Sequence, residues 1–121
     1  MPLRRPGLCY AIGYLALAVV ALASLVPAPD MGSSDKLLHF VTYGALSAGY
    51  TLLVQKLRNL VLIALGLVCY GIVLEFLQGL TGYRMSDPQD MLANSLGVAF
   101  GLVLWWTPLP YWFQRLENRV A

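Results

Sequence analysis

Apolar residues in this chain do not recur in the three- and four-residue rhythm of a surface helix. They run on for whole helix lengths, with the polar residues gathered between the runs. Gly7 to Val26 is 20 residues without a charge, the length a helix needs to cross a hydrocarbon core of ~30 Å. Leu37 to Val54 is 18 residues and carries His39, Thr42, Ser47 and Tyr50, so it predicts a span turned towards other helices. A third run extends from Leu60 to Leu80 and meets its first polar side chains only at Glu75 and Gln78. A fourth begins at Pro88 and continues to Trp106. The pattern predicts an all-α, polytopic membrane protein with four transmembrane helices, at about 7–26, 37–54, 60–80 and 88–106, in a single domain over residues 1–121.

The residues between the runs read as helix punctuation. Pro27, Pro29, Asp30, Gly32, Ser33 and Ser34 form a turn-rich loop, and Ser34 or Asp35 suits the cap of the second helix. Gly79 and Gly82 suit a helix stop. Asp87-Pro88-Gln89-Asp90 supplies an N-cap, a first-turn proline and an N3 carboxylate, the pattern of a reciprocal cap. Pro108 and Pro110 are expected to end the fourth helix, with an aromatic girdle from Trp105 to Phe113 and a short polar tail from Gln114. The first run also has the parts of a cleavable signal, Arg4 and Arg5 before it and Ala21-Leu22-Ala23 inside it, but it is longer than such a core.

Composition and charge agree with this picture and add an orientation. Hydrophobic residues make up 59% of the chain and charged residues 12%, which excludes an ordinary soluble domain. Six of the eight Lys and Arg lie in pairs at three junctions (Arg4 and Arg5, Lys56 and Arg58, Arg115 and Arg119), which speaks against a nucleic-acid partner. Placing those junctions in the cytoplasm leaves only Lys36 and Arg84 outside, so both termini are expected to be cytoplasmic. Cys9 and Cys69 have no metal or redox spacing and read as small core residues.

With that topology the unusual side chains converge on the outer end. Asp35, His39 and Tyr43 recur every four residues; Glu75 and Gln78 share a face; Asp90, Asn94, Gly97 and Gly101 share another. Gly97-x-x-x-Gly101 allows a neighbouring backbone to approach closely. Helix capping accounts for Asp35, Asp87 and Asp90, and interhelical hydrogen bonding accounts for Tyr43 and Asn94. Glu75, a carboxylate within a span that caps no helix start, and His39, the only histidine, resist such explanations.

These residues resemble the VanZ-like membrane proteins, a family named for a protein associated with teicoplanin resistance. The resemblance is carried by DKLLHFVTYGAL from Asp35 to Leu46, by ExxQ from Glu75 to Gln78, and by the R-x-x-D-x-x-D-x-x-x-N-x-x-G run from Arg84 to Gly97, ending in Gly101. It implies a characteristic polar set of Asp35, Lys36, His39, Tyr43, Glu75, Gln78, Arg84, Asp87, Asp90 and Asn94, and a place in a bacterial inner membrane. It brings a link to the glycopeptide antibiotic response only by association, since no general biochemical activity defines the family.

Three functions fit the residues. The first is a binding module for a cell-envelope or lipid headgroup, lipid-linked or anionic, held by Lys36, His39, Glu75, Gln78, Arg84, Asp90 and Asn94. The second is an enzyme on a lipid-linked substrate, with His39 and Glu75 as general base and partner, although no nucleophile stands beside His39. The third is a small oligomeric proton-coupled transporter, which ranks last because the polar groups gather at one end. A metal held by His39, Glu75 and Asp90 lacks a second histidine and any ligand-spaced pair, so the sequence calls for no metal and no cofactor. Membrane lipids are the expected partners, and a homo-oligomer stays open.

Overall fold

Long apolar runs in a medium without water must satisfy their backbone internally, and the helix is the structure that does so. The computed structural model describes residues 3–25, 34–82 and 87–120, and among them every regular element is helical. The order is α1 (Pro6–Leu25), α2 (Ser34–Thr51), α3 (Leu57–Leu80), α4 (Pro88–Leu102), a 3-10 turn (Val103–Trp106) and α5 (Leu109–Val120). α1 and α3 are each long and apolar enough to cross a membrane. α4 with its 3-10 turn and α5 make a third candidate, bent by 73° at Thr107-Pro108. α2 is not among the candidates, because Lys36, His39, Ser47 and Thr51 lower the apolar character of an 18-residue helix.

α2 packs chiefly against α4, and small residues set the distance. A Cβ on Gly97 would lie 2.4 Å from the Phe40 carbonyl oxygen, and one on Gly101 would lie 2.6 Å from that of Gly44. Gly44 in turn faces Gly97. The two backbones therefore touch directly over about a turn and a half, the device that replaces hydrophobic driving force between helices in lipid. Ser47, fully buried, donates from Oγ to the Val98 carbonyl at 2.7 Å and fixes the register. α3 joins across Gly71, where a Cβ would meet Asn94 Nδ2 and Tyr43 Cε2 at 3.1 Å.

α1 has no fully buried residue; Tyr10, Leu17 and Val20 pack against the edge of the core, and hydrogen bonds to its carbonyls add to the hold. The Tyr70 hydroxyl donates to the Leu17 carbonyl, and Gln78 Nε2 donates to that of Ser24 at 2.8 Å. At the opposite end the Glu117 carboxylate accepts from the backbone N–H groups of Arg4 and Arg5, both at 2.6 Å. Between α1 and α2 lies an apolar cavity of about 750 Å³, lined by residues that include Cys9, Leu46, Tyr50 and Phe113.

Several expectations need correction. The polar tail is a helix: Leu109, Trp112, Phe113 and Leu116 recur at helical spacing, and Pro110 is tolerated because the first turn needs no N–H from it. Gln114, read as tail, is buried and donates to the carbonyls of Leu52 and Val54 at 3.1 and 3.3 Å, which tie α5 to the end of α2. Cys69 is exposed and so not a core residue, whereas Cys9 is half-buried and packs against the core's edge. The outer faces of α1, α3 and α4 present Leu15, Leu22, Leu65, Phe76 and Phe100, each more than half exposed, as a lipid-facing surface requires.

The helix contact yields a mutational test. Gly101→Val is expected to lower stability in detergent micelles by about 1–3 kcal/mol, the range for overpacking. Gly66→Ala, where a Cβ meets nothing within 4 Å, should leave the melting temperature unchanged or raise it. Equal melting behaviour of the two variants would refute the direct backbone contact.

Candidate functional site

The end of the bundle away from Glu117 collects the polar residues. Helical spacing puts Lys36 and His39 on the first turns of α2, and Asp90 and Asn94 on one face of α4. Because the glycine contact holds α2 and α4 so close, these side chains must interleave. Lys36 Nζ lies 3.0 Å from Asp87 Oδ2 and 3.3 Å from Asp90 Oδ1. His39 Nε2 lies 3.6 Å from Asp90 Oδ2. Its Nδ1 is 2.8 Å from Asn94 Oδ1, a contact in which Nδ1 donates in the tautomer that carries its proton there.

Glu75 completes the group from α3. Its Oε1 accepts the Asp87 backbone N–H at 2.7 Å. Two expectations are thereby revised. The N-cap role of Asp87 holds, with its side chain accepting from the Gln89 N–H at 2.9 Å, but the return bond expected of Asp90 is made by Glu75. Glu75 therefore does serve a helix start, that of a neighbouring helix, and Asp90 is released to face Lys36 and His39. A capping box is read within one helix; proximity of a second helix supplied a competing acceptor that no local pattern could display.

The cluster has a floor and a rim. Glu75, Asp90 and Asn94 are each at least 95% buried, with His39 just above them, whereas the side chains of Lys36 and Asp87 are more than a third exposed. At the rim, the hydrogen bond from Lys36 holds the Asp87 carboxyl below the usual carboxylate range, with the Gln89 N–H adding to the effect. The same bond raises Lys36 above the usual lysine value, against the opposing pull of desolvation.

Of the residues expected to bind, the structure brings together Lys36, His39, Glu75, Asp90 and Asn94. Gln78 is turned away, to the Ser24 carbonyl of α1. Arg84 and the side chain of Asp35 lie outside the described residues. Asp87, read mainly as a cap, belongs to the group through Lys36. The seat for Asn94 and Tyr43 is Gly71, which the sequence reading passed over; its position four residues before Glu75, on the same face of α3, was the available signal.

Helices with lipid-compatible outer faces around a buried polar cluster define a helical integral membrane protein. The family model for VanZ/LLP1 matches residues 10–113, and the chain belongs to that family. No curated protein and no solved structure matches it.

Two tests follow from this geometry. Glu75→Ala should destabilise the protein by about 1–3 kcal/mol through an unsatisfied N–H at Asp87, while Glu75→Gln keeps an acceptor and should lose less, as read by thermal unfolding. The Lys36–Asp87 pair gives a pH dependence. A lowered Asp87 pKa stabilises the folded state above the unfolded carboxylate value, and that contribution disappears as pH falls through the folded value. The raised Lys36 pKa stabilises below the unfolded lysine value and is lost as pH rises through the folded one. Melting temperature should thus fall at both extremes, and Asp87→Asn, which retains the cap, should flatten both flanks. An unchanged profile in that variant would show the pair to be energetically silent.

Proposed function

We propose that the protein is a four-span inner-membrane protein with both termini cytoplasmic, whose outward-facing polar cluster binds the headgroup of a cell-envelope lipid or lipid-linked component. The observation that carries this reading is the cluster's construction, a buried floor of Glu75, Asp90 and Asn94 under a half-exposed rim of Lys36 and Asp87, at one end of helices whose outer faces suit lipid. Charge in a bilayer is expensive and needs a use. Four spans follow if α2, shielded by its neighbours, crosses with them and α4 continues through its 3-10 turn. The bonds from Glu117 to Arg4 and Arg5, and from Gln114 to Leu52 and Val54, join the three basic junctions at the end opposite the cluster, which supports a cytoplasmic face there.

Lys36, with Arg84 by its place in the motif, supplies positive charge for an anionic group. Lys36 is shared between two carboxylates, so such a ligand recruits it by displacing one of them. A part in the glycopeptide antibiotic response would in this reading run through a lipid-linked envelope ligand at the same cluster. Catalysis by His39 and Glu75 is less well supported. Both ring nitrogens of His39 face side-chain oxygens of the protein, and Glu75 Oε1 is committed to Asp87.

Native mass spectrometry with lipidomics on gently solubilised protein tests the reading. One envelope lipid is expected to accompany the wild type and to be lost from folded Glu75→Gln and Arg84→Ala variants. The same lipid complement in all three proteins would refute it.

A further inference from the structure

We propose that His39, Glu75 and Asp90 form a binding site for one first-row divalent cation of the zinc or manganese class. Each offers one ligand atom, and the three atoms lie within 4.8 Å of one another. The His39 Nε2 to Asp90 Oδ2 separation of 3.6 Å is close to the roughly 3.3–3.4 Å edge of a tetrahedral site with bonds of ~2.0–2.1 Å.

Proximity alone would not carry the assignment; the outer contacts do. With Nδ1 on Asn94 Oδ1, His39 turns Nε2 towards Asp90 Oδ2, so a cation between them would meet a nitrogen and an oxygen ligand together. Each proposed ligand is also oriented through an atom the metal does not need. Asn94 holds His39 by Nδ1, with Nε2 towards Asp90. The Asp87 N–H holds Glu75 by Oε1 and leaves its second oxygen. Lys36 holds Asp90 by Oδ1, with Oδ2 towards His39 Nε2. Outer partners of this kind set the tautomer and aim of metal ligands.

One imidazole and two carboxylates suit zinc, manganese or ferrous iron, and three protein ligands leave a coordination position for an exogenous oxygen. The site rests on the same cluster as the headgroup reading and gives its ligand a chemistry, an anionic oxygen completing the metal's coordination beside Lys36.

The test is titration of chelator-treated protein in micelles with Zn²⁺ and with Mn²⁺, read by calorimetry, by elemental analysis after dialysis and, for Mn²⁺, by electron paramagnetic resonance. Wild type is expected to take up one ion per chain with at least one of the two metals. His39→Ala and Asp90→Asn should weaken uptake at least tenfold, and Asn94→Ala by about 10–100-fold. Arg119→Gln, at the far end of the molecule, should bind as wild type. Failure of the wild type to bind either ion at tens of micromolar overturns the proposal without recourse to any variant, and so does equal binding by folded His39→Ala. Lipid retention measured in chelator separates the two readings: lipid kept with no metal uptake overturns this one alone, and metal uptake with no specific lipid overturns only the headgroup reading.

Discussion

The contact between the α2 and α4 backbones is the constraint on which the rest of the molecule depends. Gly44, Gly97 and Gly101 remove the side chains that would otherwise hold the helices apart, and Ser47 spends its hydroxyl on the Val98 carbonyl in the space so created. In lipid there is no hydrophobic gain from bringing two apolar helices together, so association relies on the density of such contacts. The same contact fixes the relative rotation of α2 and α4. It therefore decides that Lys36 and His39 meet Asp90 and Asn94, and no other faces.

The polar cluster shows how an apolar chain keeps charge in its interior. Lys36, Asp87, Asp90, His39, Asn94 and Glu75 form a linked set in which carboxylates face an ammonium, an imidazole and a backbone N–H. A charge removed from water without partners would be prohibitively costly. Linked sets of this kind are also cooperative, since each member orients the next. Glu75 crosses from α3 to the start of α4 and so ties the third helix to the glycine-packed pair.

α1 is held by weaker but similar devices along its length. Its half-buried side chains pack on the core's edge, Tyr70 and Gln78 donate to its carbonyls, and Glu117 accepts from the N–H groups just before it. The apolar cavity between α1 and α2 reflects that looser association. α5 folds back at 73° to its predecessor, with Gln114 anchored on the segment that follows α2 and Tyr111 and Trp112 left exposed.

The sequence by itself determined the helical class, the membrane environment and three polar faces. Those properties follow from apolar run length and from helical periodicity, which are local. It also contained the small-residue pair Gly97 and Gly101, whose meaning needs only a partner helix. It did not show that Glu75 would take the capping bond of Asp87, that Gln78 would serve α1, that Gln114 would be buried, or that the tail would be helical. Each of these depends on which donor or acceptor lies nearest once helices are packed, and only the tertiary structure decides that. Hydrogen bonds reach about 3 Å, so residues 12 to 62 positions apart compete on equal terms with near neighbours after folding, and not before it.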